Sequence, residues 1–477
     1  MFLTLGEWEI ATRGEILAGD RSAFVGGEMV GGLTIDSRTI RRGQWFIALK
    51  GKEGRDGHMF VEAAIKAGAG GIIVSDRELW EKILYPIHSD LPSLFVHDTT
   101  EALADAARAI LDKFAPFVIA ITGTVGKTSV KEAVAHIAGS KWPALKNPLN
   151  WNTEIGVPLS VFDLNKKHRV AVLECASRGK GQIRHLSLIA RPHVACITAI
   201  GPGHLSEFGT VDEVASAKWE ILDGLRKGGS VVAPGESEYT KSYAGNVDTI
   251  TFGTAKTNDI HPLEIKIGNT ETRFDIRTPE GAFETIIPGI TKADILNALA
   301  AVACAMKINV EGQTLTLDEI AESLKTVPGV PGRTEIITRP NGIEVIFDAY
   351  NSNPLSLKNA IDALCNRTKL SDGSEILRRV AILGDMLELG DDAVIYHRDA
   401  GRRIAELPID CLITAGELAG EIRNEAERAR NRIIDGGHYL NTDILSIELG
   451  NFLHPGDLVL IKASRALEFE KLLKGDW

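Results

Sequence analysis

Apolar runs of strand length alternate with amphipathic stretches of helix length through the middle of the chain. The run at 117–121 is continuously apolar, and similar runs stand at 170–174 and 194–200. Each is typical of a strand buried on both faces. A helical pattern at 211–225 follows the last of them. Strands that alternate with helices are typical of a mostly parallel sheet covered on both faces, so we predict a central α/β domain.

Glycine and proline mark where this central domain begins and ends. On its N-terminal side the pattern predicts turns at the glycine pairs 26–27 and 31–32, helices at 60–68 and 100–114, and a strand at 71–74. Pro116 ends the last helix, and the two prolines and two glycines of 327–333 are typical of a linker. Beyond it, helical segments alternate with apolar runs at 344–347, 380–383, 411–413 and 458–461. The predicted domains are therefore 1–114, 115–331 and 332–477.

Composition narrows the function classes. The 477 residues are 44% hydrophobic, and 53 Lys and Arg stand against 64 Asp and Glu, which gives a net charge of −11. This balance excludes the broad positive field of non-specific nucleic-acid binding. The five scattered cysteines form no Cys-x-x-Cys pair, so neither a disulfide framework nor a zinc site is predicted. The longest apolar stretch, 295–306, is shorter than the ~18 residues of a membrane span, and no basic leader is apparent, so we expect a cytoplasmic protein.

A glycine-rich loop carries the strongest chemical signal. Thr-Gly-Thr-Val-Gly-Lys-Thr-Ser at 122–129 follows a predicted strand directly and precedes a predicted helix. Gly123 and Gly126 allow backbone N–H groups to surround a phosphate, Lys127 reaches terminal phosphates, and the Thr128 hydroxyl is suited to Mg²⁺. Ile121 stands where the full Walker spacing has a glycine, so the loop is a shortened P-loop. The sequence predicts phosphate binding here.

Three further polar residues lie after or within predicted elements of the same domain. Glu174 ends a strand, where ligands of open α/β sheets gather, and His204 follows a Gly-Pro-Gly turn. Lys218 lies in the helical stretch 211–225. Taken singly, each has an ordinary explanation: an ion-paired glutamate, a structural histidine and a surface lysine.

The order and spacing of the motifs resemble the Mur ligase family. The glycine-rich loop is followed by Asn-Trp-Asn-Thr-Glu-Ile-Gly-Val-Pro at 150–158, Gly-His-Leu at 203–205 and Ala-Lys-Trp-Glu-Ile at 217–221. Asp-Ala-Tyr-Asn-Ser-Asn-Pro-Leu-Ser at 348–356, Leu-Gly-Asp-Met-Leu-Glu-Leu-Gly at 383–390 and Lys-Ala-Ser-Arg at 462–465 are similar to the branch of that family that adds D-alanyl-D-alanine. Asp-Ser-Arg at 36–38, with Gly-His at 57–58, is similar to its N-terminal substrate domain. The resemblance covers essentially the whole chain.

The resemblance implies a three-domain α/β architecture. A UDP-substrate-binding domain precedes a central P-loop ATPase domain with a mostly parallel sheet, and a Rossmann-like domain follows. The implied activity is ATP-dependent amide formation through an acyl phosphate, with UDP-linked muramoyl tripeptide as the acid and D-alanyl-D-alanine as the amine. The implied setting is peptidoglycan precursor synthesis by a monomeric enzyme.

The same resemblance implies roles for individual residues. Those expected to bind ATP are Gly123, Thr124, Gly126, Lys127, Thr128, Ser129, Asn297, Arg333, Asp348 and Tyr350. Those expected to hold two Mg²⁺ ions are Thr128, Glu174, His204 and Lys218, the last as its carbamate. Those expected to carry catalysis are Lys127, Glu174, His204, Lys218 and Arg333. Those expected to face the substrates are Ser37, Arg38, Asn150, Asn152, Thr153, Asn351 and Asn353.

Several positions depart from the family pattern. Cys175 and Ala176 follow Glu174 where a hydrophobic residue and glycine are usual, and Ser206 replaces a carboxylate near His204. Ala293 and Asp294 occupy the place of a His-Asn pair, and the terminal motif carries alanines at 463 and 466. These changes leave two alternatives open. One is a related ligase that activates another acid, as in coenzyme or tetrapyrrole assembly, and the other is a non-catalytic nucleotide-binding homologue.

Overall fold

The computed structural model of the protein describes residues 3–25, 32–51, 56–148, 150–430, 434–475 and 477. Within these ranges the strands form four sheets: two of six strands, one of five and one of three. The predicted glycine turns at 26–27 and 31 lie outside the described residues. Within the described part of the chain, no helix combines the length and apolar character that crossing a membrane requires.

A five-stranded sheet organises the N-terminal part. Its strands are β1 (Glu15–Ala18), β2 (Leu33–Thr34), β3 (Trp45–Ile47), β4 (Gly71–Val74) and β5 (Ser93–Phe95), in the spatial order β1-β5-β4-β3-β2. Its helices are α1 (Leu5–Thr12), α2 (Val61–Lys66), α3 (Arg77–Leu79), α4 (Tyr85–His88) and α5 (Thr99–Phe114). The pairs from β2 to β5 are parallel, and β1 is antiparallel to β5. The predicted helix at 60–68 is shorter than expected, because Gly57–Phe60 forms a 3-10 turn before α2.

The central sheet is entirely parallel. Its strands are β6 (Phe117–Thr122), β7 (Ala144–Lys146), β8 (Val170–Glu174), β9 (Val194–Ile197), β10 (Ser230–Pro234) and β11 (Asp248–Phe252), in the order β11-β10-β9-β6-β8-β7. The helices that accompany it are α6 (Lys127–Gly139), α7 (Gly156–Val161), α8 (Gln182–Ala190), α9 (Leu205–Phe208), α10 (Val211–Trp219) and α11 (Glu238–Tyr243). Apolar clusters line both faces of the sheet, which explains the uninterrupted apolar runs of β6 and β8.

A small antiparallel sheet follows the central one. It comprises β12 (His261–Ile267), β13 (Thr272–Thr278) and β14 (Gly281–Ile287), and it leads into α12 (Lys292–Met306) and α13 (Leu317–Leu324). Thr291 and Asp294 form a reciprocal cap at the start of α12. Asp294 therefore has a structural use in this chain, because its carboxylate accepts hydrogen bonds from the backbone N–H groups of Ile290 and Thr291.

The C-terminal part contains a second six-stranded sheet with apolar clusters on both faces. Its strands are β15 (Glu335–Thr338), β16 (Glu344–Phe347), β17 (Arg378–Gly384), β18 (Cys411–Ala415), β19 (His438–Tyr439) and β20 (Asp457–Lys462), in the order β15-β16-β20-β17-β18-β19. Its helices are α14 (Pro354–Asn366), α15 (Ala393–Ala405), α16 (Ala419–Arg430) and α17 (Thr442–Glu448). All pairs except β15–β16 are parallel. The four strands predicted beyond the linker are confirmed.

Two predicted elements end earlier than the sequence indicated. The strand predicted at 194–200 stops at Ile197, because the next residues turn toward the glycine-rich loop and Thr124 donates its N–H to Ala199. The helix predicted at 211–225 ends at Trp219 and continues as a 3-10 turn over Glu220–Gly224. The 3-10 turn remains part of the core, because Ile221 and Gly224 are buried.

A buried ion pair connects α14 to the C-terminal sheet. Arg367 and Glu344 are almost fully buried, and the guanidinium contacts the carboxylate directly. The second carboxylate oxygen accepts the Ser371 N–H at 2.7 Å. A buried charge without its partner is costly, so each side chain depends on the other.

We expect Glu344→Gln to lower the free energy of unfolding of the C-terminal sheet by about 3–5 kcal/mol, because it leaves the Arg367 charge buried without a counterion. Asp399→Asn is the matched control: it breaks the half-exposed pair of Asp399 with Arg402 and is expected to cost less than about 1 kcal/mol. Urea denaturation measures the free energy of unfolding of both variants, and hydrogen exchange of the β16 and β20 amides measures the local loss of stability. Equal effects of the two variants would show that the buried pair is dispensable.

Candidate functional site

The glycine-rich loop joins β6 to α6 at the carboxyl edge of the central sheet. Gly123 and Gly126 adopt positive φ angles of 146° and 86°. A Cβ at Gly123 would overlap the hydroxyl of Thr198, and a Cβ at Gly126 would overlap the side-chain oxygen of Asn297. Glycine is required at both positions, because backbone angle and space each exclude a side chain. The loop thereby presents N–H groups at the start of a 13-residue helix, the arrangement that favours an anion.

Lys127 and Thr128 begin that helix. The Lys127 ammonium donates to the carbonyls of Gly123 at 2.7 Å and Thr124 at 3.1 Å, so the side chain folds over the loop. Burial lowers the pKa of Lys127 to about 8, although the nearby Glu174 carboxylate acts in the opposite direction. The buried Thr128 hydroxyl accepts a hydrogen bond from Arg333 at 3.1 Å.

Glu174 lies beside the loop at the end of β8. Its side chain is buried, and Oε1 accepts a hydrogen bond from Asn152 at 2.8 Å. Oε2 is also buried and has no hydrogen-bond partner among the described atoms. A buried carboxylate oxygen without a partner is costly in a folded protein, and a divalent cation is the partner that suits it. Glu174 therefore fits a metal ligand.

Asn147 is a site residue that sequence reasoning missed. Its side chain accepts the Glu174 N–H at 2.8 Å and donates to the carbonyls of Glu174 at 3.1 Å and Trp151 at 2.7 Å. The buried Lys131 of α6 donates to the Asn147 carbonyl at 2.8 Å. Asn147 thus links the glycine-rich loop's helix, the 150–153 segment and the end of β8. Its place directly after β7, at the carboxyl edge of the same sheet, was the available signal.

Lys218 is buried in α10 and is not the surface lysine that its sequence context alone suggests. Its ammonium donates to the Ser177 hydroxyl at 2.9 Å and lies 5.5 Å from the centroid of the Phe208 ring. Burial lowers the pKa of Lys218 to about 7, and the positive charge of Lys127 acts in the same direction. A large fraction of this amine is therefore neutral, and so nucleophilic, near neutral pH.

His204 stands where the 201–203 turn meets α9. It has a left-handed backbone with φ 55°, which is unusual for a residue other than glycine. Its Nδ1 contacts the carboxylate of Glu388, which lies on the loop after β17. The two residues are 184 positions apart in the sequence. Sequence reasoning did not select Glu388 as a site residue.

The end of the linker and the residues that follow it complete the site from the other side. Arg333 reaches across to Thr128, and its guanidinium carbon lies 4.4 Å from the centroid of the Tyr350 ring. The Asp348 carboxylate accepts from the buried Lys462 at 2.9 Å, and Lys462 also donates to the Asn351 carbonyl at 2.9 Å. The linker therefore holds a cation directly against the phosphate-binding loop.

A cavity of about 470 Å³ lies between α12, the linker and the loop. Its lining includes Ser129, Asp294, Asn297, Pro331 and Arg333. This volume is within the range of small-molecule sites, and Ser129 at the start of α6 forms part of its wall. Asn297, which is predicted to contact adenine, lies on the cavity wall.

The residues predicted to face the substrates are only partly brought together. Asn152 contacts Glu174, and Thr153 accepts the Gly156 N–H at 3.4 Å, while Asn150 is exposed. Asn353 caps α14 through the Ser356 N–H at 2.9 Å, and its amide lies beside the 201–203 turn. Asn351 is exposed.

Ser37 and Arg38 lie on a turn in the N-terminal part, away from the loop. Arg38 is bound to Asp36 by two hydrogen bonds of 2.9 and 2.8 Å, and this pairing lowers the pKa of Asp36 to about 2. Arg38 is exposed, and Ser37 is half-buried.

The described residues contain no group of three or more His, Cys, Asp or Glu side chains that would hold a metal ion unaided. Magnesium commonly takes one or two protein ligands and completes its shell with phosphate oxygens and water. Thr128 and the unpartnered oxygen of Glu174 fit that pattern for an ion that arrives with a nucleotide.

Three family models match successive parts of the chain. They are the Mur ligase family catalytic domain at 29–110, the Mur ligase middle domain at 121–305, and the Mur ligase glutamate ligase domain at 332–465. The chain is 32% identical to the UDP-N-acetylmuramoyl-tripeptide–D-alanyl-D-alanine ligase of Bacillus subtilis, over 94% of this chain and 93% of that protein. It is 29% identical to the Escherichia coli protein of the same name, over 93% and 92%.

Solved structures agree with this similarity. MurF from Acinetobacter baumannii superposes with a TM-score of 0.85 at 29% identity, covering 99% of this chain and 98% of that one. MurF ligase from Thermotoga maritima, in complex with ADP, superposes with a TM-score of 0.78 at 27% identity, covering 93% and 96%.

We expect Gly126→Ala to weaken binding of ADP by at least about tenfold, because the added methyl group displaces Asn297 and strains a left-handed backbone. Gly139→Ala is the matched control, since it lies at the other end of the same helix where a Cβ meets open space. Titration calorimetry measures both affinities, and thermal unfolding verifies that both variants fold. Equal affinities would contradict the packing described for the loop.

Proposed function

The chain belongs to the Mur ligase family, and we propose that it joins D-alanyl-D-alanine to UDP-N-acetylmuramoyl tripeptide with conversion of ATP to ADP. Relatives that bear this name match nearly the whole chain, and a solved relative holds ADP. The observation that carries the proposal is structural. Lys127, Thr128, Glu174 and Arg333, drawn from two sides of a cleft, converge on one phosphate-binding loop.

In this proposal, each of the three domains predicted from the sequence binds one of the substrates. Residues 1–114 would hold the UDP end of the acid through the turn at Ser37 and Arg38. Residues 115–331 would bind ATP, and residues 332–477 would bring the amine. The segment 150–153 would contact the muramoyl part, with Asn351 and Asn353 facing it from the third domain.

The first chemical step is attack by the terminal carboxylate of the tripeptide on the γ-phosphate of ATP, giving an acyl phosphate and ADP. Lys127, at the start of α6, is placed to neutralise the phosphate charge, and Arg333 approaches from the linker. Asn297, Asp348 and Tyr350 would orient the nucleoside. Magnesium, held by Thr128 and Glu174 and by His204 and Lys218, would supply further charge neutralisation.

The second step is attack by the amine of D-alanyl-D-alanine on the acyl carbon, after which phosphate leaves from the tetrahedral intermediate. Water competes with this amine, so the cleft has to close before the acyl phosphate forms. The contact of Arg333 with Thr128 draws the linker onto the loop, which favours that order of events.

We expect ADP release to require both the UDP-linked tripeptide and D-alanyl-D-alanine, because the acyl phosphate is productive only when the amine is present. Purified protein is assayed with Mg²⁺ and bicarbonate, with each substrate omitted in turn, and mass spectrometry identifies the pentapeptide product. If ATP binds but neither substrate raises ADP release, another acid is the substrate and the proposal fails.

Lys218 carries a second part of the proposal, the carbamate. CO₂ adds to a neutral amine and converts it to an anionic oxygen ligand, which suits Mg²⁺ better than an ammonium group. The buried Lys218 amine, with its lowered pKa and its hydrogen bond to the Ser177 hydroxyl, has the properties that this addition requires.

We expect Lys218→Ala to lose at least about 100-fold in kcat and to regain activity when a short carboxylate such as formate or acetate is added. The exposed Lys227→Ala is the matched control and is expected to behave as wild type. In wild type, carbamate content increases as pH rises through about 7, because the amine loses its proton there. A ¹³C carbamate signal after incubation with labelled bicarbonate measures that content. Its absence at every pH would refute the modification even if the variant is inactive.

A further inference from the structure

The contact between His204 and Glu388 joins two different domains. His204 lies beside the proposed magnesium site in the central domain, and Glu388 lies on the loop after β17 in the C-terminal domain. We propose that Glu388 is a positioning residue for His204, so that this end of the site is correctly built only when the C-terminal domain is docked. The inference rests on the proposed function, and it adds a residue and a dependence on docking to it.

The loop that carries Glu388 is held firmly to its own domain. The Asp385 carboxylate accepts three backbone N–H groups at the start of α16, at 3.0, 3.0 and 2.6 Å. The Met386 N–H donates to His397 at 3.0 Å, and the Leu387 N–H donates to the Ser464 hydroxyl at 3.0 Å. Glu388 itself has φ 61°. Because its neighbours are fixed, Glu388 moves with the domain as a whole.

The same part of the C-terminal domain makes specific contacts with the central domain. The Ser206 N–H donates to the Glu388 carbonyl at 3.3 Å, so main chain and side chain of one residue both contact the 204–206 segment. Tyr396 of α15 packs against an apolar cluster formed by Leu205, Phe208, Val214 and Ala217. That cluster includes the ring over which Lys218 lies. When the C-terminal domain is docked, it therefore contacts residues that pack against or bond to both His204 and Lys218.

The chemistry of the pair fixes what the histidine does. A carboxylate at Nδ1 makes that nitrogen the N–H donor, which leaves Nε2 with its lone pair. It also restrains the ring and makes the free nitrogen a better ligand. Arg178 lies 3.8 Å from the other Glu388 oxygen, at the same corner of the site.

Separation of the domains would remove the carboxylate from His204 while leaving the glycine-rich loop and Glu174 intact, because those belong wholly to the central domain. An undocked enzyme would therefore keep its phosphate-binding loop and yet respond poorly to magnesium. This arrangement delays phosphate transfer until the domain expected to bring the amine is in place, which protects the acyl phosphate from water.

The test compares Glu388→Ala and Glu388→Gln with the control Asp391→Ala, an exposed carboxylate three residues along the same turn. Calorimetry measures ADP binding with and without Mg²⁺, and fluorescence energy transfer between labels on the central and C-terminal domains measures docking. Neither readout needs the acid or the amine. We expect Glu388→Ala still to bind ADP without Mg²⁺ through the glycine-rich loop, to need at least about tenfold more Mg²⁺ than wild type for the same tightening, and to show a longer interdomain distance.

Glu388→Gln keeps the size of the side chain and a carbonyl acceptor but removes the charge. We expect it to retain most of the docking and still require more Mg²⁺. In a His204→Ala background, Glu388→Ala is expected to add no further change in the Mg²⁺ requirement, because the partner is already missing. An unchanged Mg²⁺ requirement in Glu388→Ala, or the same increase with His204 absent, would overturn the inference. Failure of the substrate assay alone would overturn the proposed function and leave this result standing.

Discussion

The parallel register of three neighbouring strands determines where the chemistry of this protein can occur. Ile121 of β6 pairs with Glu174 of β8, and Thr122 pairs with Ile197 of β9. This register brings the glycine-rich loop, the Glu174 carboxylate and the turn that leads to His204 to one edge of the sheet. A shift of one residue in either pairing would turn these side chains to the opposite face. The site is therefore a consequence of backbone pairing that the apolar cores on both faces hold in place.

The cleft concentrates positively charged side chains, although the chain as a whole has a negative net charge. Lys127 and Lys218 are buried at this edge, and burial is the main reason why the pKa values of both are lowered. Arg333 approaches them from the linker. A concentration of positive charge with little solvent is unfavourable by itself, and it becomes favourable when a polyanionic nucleotide arrives. The chain, with a net charge of −11, thus keeps a local field suited to phosphate.

Much of the fold and part of the site could be predicted from the sequence, for local reasons. Buried strands such as β6 and β20 are continuous apolar runs, and the glycine-rich loop has a fixed spacing between strand and helix. Asn147 and Glu388 were not predicted, because each acts through contacts with segments far away in the sequence. Asn152 was expected to face a substrate, and the structure shows it bonded to Glu174. Such pairings depend on sheet order and domain docking, which no periodicity in the sequence encodes.

The length of the linker at 327–333 determines where Arg333 lies. Its two prolines have fixed φ angles, so its torsional freedom is concentrated in Gly329 and in Gly332, which has φ 71°. At its end, Arg333 is held on one side by Thr128 and on the other by the Tyr350 ring. Inserting or deleting one residue would shift this arginine along the chain by roughly 3.5 Å, more than a hydrogen bond can absorb. Over evolutionary time the segment should therefore change its side chains far more readily than its length.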